Sequence, residues 1–224
     1  MVFEMLQRTI APALLTASLV AAGPLTARAA EEATATSFAA SKASKGLVLF
    51  DVYWSRVWKC GRYEDAQLRA LVFERGPLND APAASPSVTS LSLENPSSLA
   101  PPKHFVPYAF LVEPGEYHLT AFEVGFSQSM SKVGAIKPSR AEIVTAGRSK
   151  LGSFKVAAGE VVYVGNWGVD CYRAPIPWRF YTQGKADFAE HLEQYKAKYP
   201  FVDTASVIYR LFETTELGEG YELK

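Results

Sequence analysis

Residues 159–173 read GEVVYVGNWGVDCYR, and this stretch decides how the surrounding sequence is interpreted. An unbroken period of two predicts a β-strand that turns one face toward the core. Asn166 and Asp170 fall on the opposite face, and the glycines stand where a bulge or a close backbone approach is expected. A core strand therefore explains the stretch without a bound ligand. Its predicted inner face carries Val161, Tyr163, Gly165, Trp167, Val169 and Cys171.

The composition is that of an ordinary folded domain. Of the 224 residues, 48% are hydrophobic and 21% are charged, which is enough for one domain with a sizeable core. Lysine and arginine together number 23, as do aspartate and glutamate. Because the chain has no excess of positive charge to attract phosphates, no nucleic-acid partner is expected.

Residues 1–30 have the pattern of a secretory signal peptide. Arg8 precedes the apolar segment TIAPALLTASLVAA (9–22), and Ala27-Arg28-Ala29 follows as a cleavage site. The apolar segment is shorter than the roughly 20 residues that cross a bilayer. The sequence therefore predicts a periplasmic or extracellular protein with no integral membrane segment after cleavage. The alternative is an uncleaved anchor.

The compartment determines how the only two cysteines, Cys60 and Cys171, are interpreted. They form no C-x-x-C pair, and the three histidines are scattered without metal-ligand spacing, so no metal site is expected. In an oxidising compartment an isolated pair of cysteines most often forms one structural disulfide. The sequence predicts a Cys60–Cys171 disulfide, with two unpaired buried thiols as the alternative.

Short strands separated by turn signals dominate the rest of the chain. Turns at intervals of about ten residues are typical of a β-sandwich or a β-barrel, and of these we favour an antiparallel β-sandwich. We predict one such mainly β domain over residues 46–215, with a long surface loop at 75–104 and one C-terminal α-helix at 187–198. Residues 31–45 are expected to form a flexible N-terminal segment, and residues 216–224 a tail.

Local periodicity and capping residues predict the individual elements. Asp187 is the expected N-cap of the helix, and Pro200 ends it. Residues 204–213 fit either a strand or a helix. A Pro-Gly turn is expected to join the strands at 105–112 and 117–124 into a hairpin. The other predicted strands lie at 46–54, 66–74, 141–145 and 159–171, with a short edge strand at 87–93.

The search for catalytic chemistry gives no candidate. SMSK (129–132) has the S-x-x-K spacing of serine acyl-enzymes, but it lies in a polar segment and the partner motifs are missing. His191, between glutamates, is expected on a solvated helix face. No catalytic residue and no cofactor is therefore predicted. In an enzyme with a site assembled from scattered residues, Asp170, Glu123 and His118 are the first to inspect.

The segment CYRAPIPWRFYTQG (171–184) is a candidate binding site. Aromatic residues and arginines alternate there around two prolines. Exposed aromatic rings beside arginine can stack on sugars or anchor a protein partner. The alternative is that these rings cover the core beside the C-terminal helix. The candidate ligand-binding residues are Tyr172, Arg173, Trp178, Arg179 and Tyr181.

Two segments carry a resemblance to a known group of proteins. VEPGEYHLTAFE (112–123) and SFKVAAGEVVYVGNWGVD (153–170) are similar to the strand signatures L-x-P-G-x-Y-x-L and F-x-V-x-A-G-x-x-x-Y-x-G. These signatures occur in bacterial envelope proteins of unknown function that have an immunoglobulin-like or transthyretin-like sandwich. The resemblance covers mainly residues 105–172. It implies a non-enzymatic periplasmic or surface protein, and it assigns no catalytic residue.

Two functions of different classes are open at this point. The first is a secreted or periplasmic non-enzymatic binding or structural module of the cell envelope, whose partner is an envelope protein or a glycan. The alternative is a carbohydrate-active or other hydrolytic enzyme. A pocket that holds two carboxylates, or a serine beside a histidine, would favour the enzyme.

Overall fold

The structure is a computed structural model of the 224-residue chain. The signal peptide predicted at 1–30 lies, except for Ala30, outside the described residues. Part of the predicted loop at 75–104 and the candidate binding residue Arg173 also lie outside them. The described residues are 30–79, 90–96, 100–172 and 174–224.

The described part of the chain contains three helices, so the prediction of a single helix is wrong. The helices are α1 (Ala35–Ser41), α2 (Arg140–Ile143) and α3 (Lys185–Lys198), with a 3₁₀ turn at Thr204–Ser206. The strands are β1 (Gly46–Tyr53), β2 (Val57–Cys60), β3 (Tyr63–Arg75), β4 (Ser90–Glu94), β5 (Phe105–Val112), β6 (Gly115–Ser129), β7 (Lys132–Ile136), β8 (Val144–Thr145), β9 (Arg148–Ser149), β10 (Ser153–Val156), β11 (Val161–Asp170), β12 (Ile176–Phe180) and β13 (Val207–Tyr209).

The chain is mainly β, as predicted, but its first sheet is mixed. The order of strands is β12-β11-β1-β5, with β13 also paired to β11. β5 pairs antiparallel with β1, and β12 pairs antiparallel with β11. β11 runs parallel to both β1 and β13. The expectation of a purely antiparallel arrangement is therefore wrong for this sheet. Parallel neighbours need a long crossover, and the chain between β1 and β11 supplies it.

The second sheet has the order β10-β6-β3-β2, with β4 paired to β3 and β7 paired to β6, and every pairing is antiparallel. The long strands β3 and β6 form its centre. The hairpin predicted between 105–112 and 117–124 is wrong, because β5 belongs to the first sheet and β6 to the second. The Pro114-Gly115 turn connects the sheets instead.

The two sheets contribute to one hydrophobic core. Val48, Phe50 and Val52 reach it from β1, as their alternation predicts, and they are fully buried. Phe73 from β3 meets them, with its ring centroid 5.4 Å from that of Phe50 and 5.7 Å from that of Trp167. Close contact between large rings of both sheets holds β11 and β12 in fixed positions.

A bulge at Gly165 divides β11 into two registers. Val162 and Val164 belong to the core between the sheets before the bulge, and Trp167 and Val169 belong to it afterwards. The pairing with β1 shifts at this point, and Gly165 has a φ of 110°, a conformation that favours glycine. The unbroken register expected from the sequence is therefore wrong, because the extra residue exchanges the two faces of the strand.

Helix α3 covers the outer face of the first sheet. Phe188, Leu192 and Tyr195 form its buried side and belong to a second hydrophobic cluster with residues of β1 and β11. The helix predicted at 187–198 is thus present, but it begins two residues earlier. Its N-cap is Gly184, and the expected cap Asp187 lies in the first turn.

Both segments expected to be unstructured make defined contacts. Residues 31–45 contain α1, and Ala33 is buried against the second cluster. In the tail at 216–224, Leu217 is buried in the core between the sheets. The chain ends therefore pack because each carries apolar side chains that the sheets leave room for.

Two further segments differ from their predicted form. The strand expected at 141–145 is instead α2 followed by the two residues of β8, because Ser139 and Glu142 form a capping box. Residues 204–213 combine the two open alternatives, since a 3₁₀ turn leads into β13.

Candidate functional site

Arg179 is a buried arginine on β12, with 1% of its surface exposed. In the pairing of β12 with β11 it lies opposite Trp167, so its side chain is on the face that carries the core. Alternation along the strand directs Trp178 and Phe180 to the other face.

Two glycines make room for the Arg179 side chain. A Cβ at Gly165 would lie 2.6 Å from Cδ of Arg179, and a Cβ at Gly218 would lie 3.2 Å from both its Cζ and its Nε. Glycine therefore allows the backbone of β11 on one side, and the C-terminal segment on the other, to approach the arginine closely.

The hydrogen-bonding capacity of Arg179 is only partly used. Nη2 donates to the backbone oxygen of Glu219 at 2.5 Å, and the Arg179 backbone N–H donates to the oxygen of Leu217 at 2.6 Å. The guanidinium also lies over the ring of Tyr181, 5.6 Å from its centroid. Nε and Nη1 are buried and have no hydrogen-bond partner among the described residues.

The electrostatic surroundings of Arg179 do not neutralise it. Burial lowers the pKa of the guanidinium from its usual value, and nearby tyrosines, Tyr209 foremost, act in the opposite direction. No carboxylate in the described ranges forms an ion pair with Arg179. Because arginine stays protonated in proteins, the structure holds a buried positive charge that a backbone carbonyl, tyrosine rings and the more distant Glu219 carboxylate surround, without an ion pair.

A cavity of about 780 Å³, the Arg179 cavity, opens beside this charge. Phe212 and Tyr221 give it aromatic walls, and Arg210 lies at its side. Arg210 already holds Glu160 through two hydrogen bonds of 2.7 and 3.1 Å, so its charge is compensated. Among the fully buried polar atoms of its lining, Nε and Nη1 of Arg179 are those without a hydrogen-bond partner, and Lys150, Glu213 and Glu222 also line the cavity.

The four candidate binding residues that the structure describes lie on different surfaces. Arg179 and Tyr181 come together, and Tyr181 stacks on Tyr221 with centroids 4.6 Å apart. Tyr172 is 84% exposed and lies beyond the end of β11, while Trp178 is half-buried on the other face of β12. The prediction therefore identified one residue of the cavity, Arg179, and a ring beside it, Tyr181, and it missed Tyr221, which lines the cavity and is distant in sequence.

The three residues considered for a hydrolytic site lie apart. Glu123 pairs with Arg69 and Lys137, and the Asp170 carboxylate accepts from the Tyr172 backbone N–H. Ser153 stands opposite His118, but its hydroxyl donates to the Glu116 carboxylate at 2.6 Å. No serine–histidine hydrogen bond occurs among the residues that the structure describes.

A second buried charge, Asp51 on β1, was missed in the sequence. It is fully buried, and its Oδ2 accepts a hydrogen bond from the Tyr195 hydroxyl and lies 2.9 Å from Nε2 of His191. We call these three residues the Asp51 cluster. His191, expected on a solvated face, instead has a side chain that is only 10% exposed. An aspartate inside the apolar stretch GLVLFDVYW was the available signal.

Cys60 and Cys171 lie at disulfide distance, as predicted. Their sulfur atoms are 2.02 Å apart and their Cα atoms 4.6 Å apart. Cys60 ends β2 of the second sheet, and Cys171 follows β11 of the first. The disulfide therefore ties the two sheets together at one end of the core.

In the described ranges, no group of three or more histidine, cysteine, aspartate or glutamate residues could hold a metal ion. None of the described helices is long and apolar enough to cross a membrane. No family model, curated protein or solved structure matches the chain.

Proposed function

We propose that the protein is a non-enzymatic binding module of the bacterial cell envelope and that the Arg179 cavity is its binding site. The ligand is an anionic group carried by an envelope protein or a glycan. The observation that carries this proposal is the buried guanidinium of Arg179, which has two unfilled donors beside a cavity of about 780 Å³.

The argument for an anion is energetic. An arginine buried without a carboxylate loses hydration that a backbone carbonyl only partly replaces. A carboxylate or another anion that reaches the guanidinium restores this loss through charge-assisted hydrogen bonds, which are stronger than the bond to Glu219 oxygen. The missing interaction therefore favours anions over neutral ligands.

Access to Arg179 requires a local rearrangement. The backbone of Leu217 and Glu219 is hydrogen-bonded to Arg179, and Gly218 packs on its guanidinium. An entering anion displaces the Glu219 carbonyl, while the aromatic rings of Phe212 and Tyr221 remain as walls. The segment that must move is short and follows the last strand, so its displacement leaves both sheets intact.

The proposed location and scaffold agree with this role. A disulfide suits an oxidising compartment, and the N-terminal residues have the pattern of a cleaved signal peptide. We propose that the scaffold is a β-sandwich of the immunoglobulin-like or transthyretin-like kind. The segments at 112–123 and 153–170 support it through their resemblance to bacterial envelope proteins.

The test is capture of ligands by the secreted, oxidised protein from a library of acidic and neutral glycans and from bacterial envelope extract. We expect Arg179→Met to lose capture of acidic ligands, because it removes the charge and keeps a long apolar side chain. Retained capture by Arg179→Met contradicts the proposed site.

The matched control is Arg62→Met. Arg62 also lies over a tyrosine ring, with its Cζ 5.2 Å from the centroid of Tyr63, but it is on the surface. The Arg62→Met variant should capture the same ligands as the wild-type protein. Equal melting temperatures of the two variants would show that a loss of capture is not a loss of folding.

A further inference from the structure

A second cavity lies on the second sheet, on the side away from the core. Its volume is about 590 Å³, and β6, β10, β9 and the Gly76-Pro77 segment surround it. We call it the His118 cavity. The polar side chains that line it are those of Glu116, His118, Arg148, Ser149, Ser153 and Lys155.

His118 lies within the wall of this cavity. The residue is 8% exposed, and its ring nitrogens are not among the fully buried unpaired polar atoms of the described residues. A Cβ on Gly76 would lie 3.0 Å from its Nε2, so the ring is held beneath the turn that follows β3. Because His118 lines the cavity, its ring can meet a polar group that enters it.

Two cations share the cavity with His118. Arg148 forms no ion pair in the part of the chain that the structure describes, and Lys155 meets Glu116 only at 3.9 Å. The carboxylate of Glu116 accepts a shorter hydrogen bond from Ser153, at 2.6 Å. The rim therefore has two positive charges against one negative charge, with an imidazole between them.

We propose that the His118 cavity binds the phosphate group of a phosphate monoester. Arg148 and Lys155 contact the phosphate oxygens, and His118 donates a third hydrogen bond from its ring. A doubly charged group suits two cations and an imidazole better than a singly charged carboxylate does. The volume greatly exceeds that of a free phosphate ion, so the remainder accommodates the organic part of the monoester.

This site is separate from the Arg179 cavity and does not depend on it. The two cavities share only Ser149 and Gly152 in their walls. Gly152 has a φ of 122°, and a Cβ there would lie 2.0 Å from the backbone oxygen of Glu213. Because Gly152 has no side chain, the backbone at Glu213 can pack against it and separate the two cavities.

Protonation of His118 couples binding to pH. The charged groups around it are Glu116 on its own strand, Lys155 on β10, Arg148 on β9, and Glu74 on β3 with its partner Arg140. Burial lowers the pKa of His118; Glu116 opposes this shift, and Arg148 and Lys155 add to it. A bound phosphate adds negative charge beside the ring, so binding raises this pKa and is accompanied by proton uptake.

The test is calorimetric titration of the secreted, oxidised protein with glycerol 3-phosphate, inorganic phosphate and glycerol at neutral pH. We expect glycerol 3-phosphate to bind with proton uptake, inorganic phosphate to bind more weakly, and glycerol not to bind. Equal affinity for inorganic phosphate would overturn the assignment to a monoester. Absence of binding at millimolar concentrations would overturn the site.

Substitutions in the His118 cavity test which residues bind the phosphate group. Arg148→Gln and Lys155→Gln should each weaken glycerol 3-phosphate binding roughly tenfold, and the exposed Lys196→Gln on α3 should not change it. His118→Gln should keep part of the affinity and abolish proton uptake. Unchanged binding by Arg148→Gln and Lys155→Gln would contradict the proposal. Both positions are exposed, so these variants keep the test valid if His118→Gln does not fold.

Discussion

The first sheet contains two buried charges whose surroundings differ. Asp51 on β1 meets a histidine and a tyrosine of α3 through its Oδ2, and only its Oδ1 lacks a partner. Arg179 on β12 meets a backbone carbonyl and leaves two donors unfilled. The two side chains are equally inaccessible, at 0% and 1% exposure.

This difference is the basis of the proposal that Asp51 is a structural charge and Arg179 a binding charge. The Asp51 cluster joins α3 to the first sheet, so its hydrogen bonds stabilise the folded state. Arg179 makes the folded state less stable than an apolar side chain of similar shape would, because its desolvation is poorly compensated. Burial alone therefore does not distinguish the two charges, whereas the number of unpaired polar atoms does.

Loss of the disulfide should destabilise the folded protein most. Cys171 follows β11, which lies between β1, the strand of Asp51, and β12, the strand of Arg179. The bond encloses a separation of 111 residues, for which chain entropy gives about 4 to 5 kcal/mol. We expect reduction, or Cys60→Ser with Cys171→Ser, to lower the melting temperature by roughly 10 to 20 °C in scanning calorimetry. Two titratable thiols in the unreduced, unfolded protein would contradict the pairing.

Asp51→Ala should have the next largest effect. It leaves the Tyr195 hydroxyl and the His191 ring without their acceptor at the interface of α3. We expect a loss of about 2 to 4 kcal/mol in the free energy of unfolding, measured with urea. Asp187→Ala, an exposed position in the same helix, is the control and should change stability by less than about 1 kcal/mol.

Arg179→Met should change stability by less than about 1 kcal/mol, or raise it, because an uncompensated buried charge is replaced by an apolar side chain. The measurement is urea unfolding under the conditions used for Asp51→Ala. If Arg179→Met lost as much free energy of unfolding as Asp51→Ala, both charges would be structural, and the contrast between them would disappear.

Tyrosine ionisation offers the smallest and most local test. Burial raises the pKa of Tyr209 to about 12, and Arg179 partly opposes this shift. Since the unfolded chain releases its tyrosine protons near pH 10, the free energy of unfolding should fall between pH 10 and 12. In an ultraviolet titration, Arg179→Met should raise the pKa of Tyr209 further. A lowered pKa would show that the arginine does not act on this ring.

Local alternation predicted several strands but not their partners. The residues of β1, β3 and β11 were found from period two, because each strand buries at least one face, and those of β5 were found from a run of residues that favour strands. The parallel pairing of β1 with β11 leaves no local trace, since either direction buries the same side chains. The bulge at Gly165 was foreseen as a possibility, but its consequence for the two faces depends on pairing with β1.

The candidate site was predicted only in part for the same reason. Arg179 and Tyr181 stood out because arginine and aromatic residues are close in sequence, but Tyr172 and Trp178 fall on other surfaces. Tyr221 lies beyond the last strand, so no sequence spacing joined it to Tyr181.

The parallel pairing of β1 with β11 has a consequence for how the chain reaches its native state. Leu47 pairs with Val161, and β13 then adds at Val207, so the first sheet cannot be completed until almost the whole polypeptide is present. The second sheet ends at Val156 and can assemble before that point. Such distant contacts slow folding, because a long loop must close before they stabilise anything. During synthesis, the edge of β1 that pairs with β11 therefore stays unpaired until β11 is made, and an unpaired strand edge of this kind can pair with another chain.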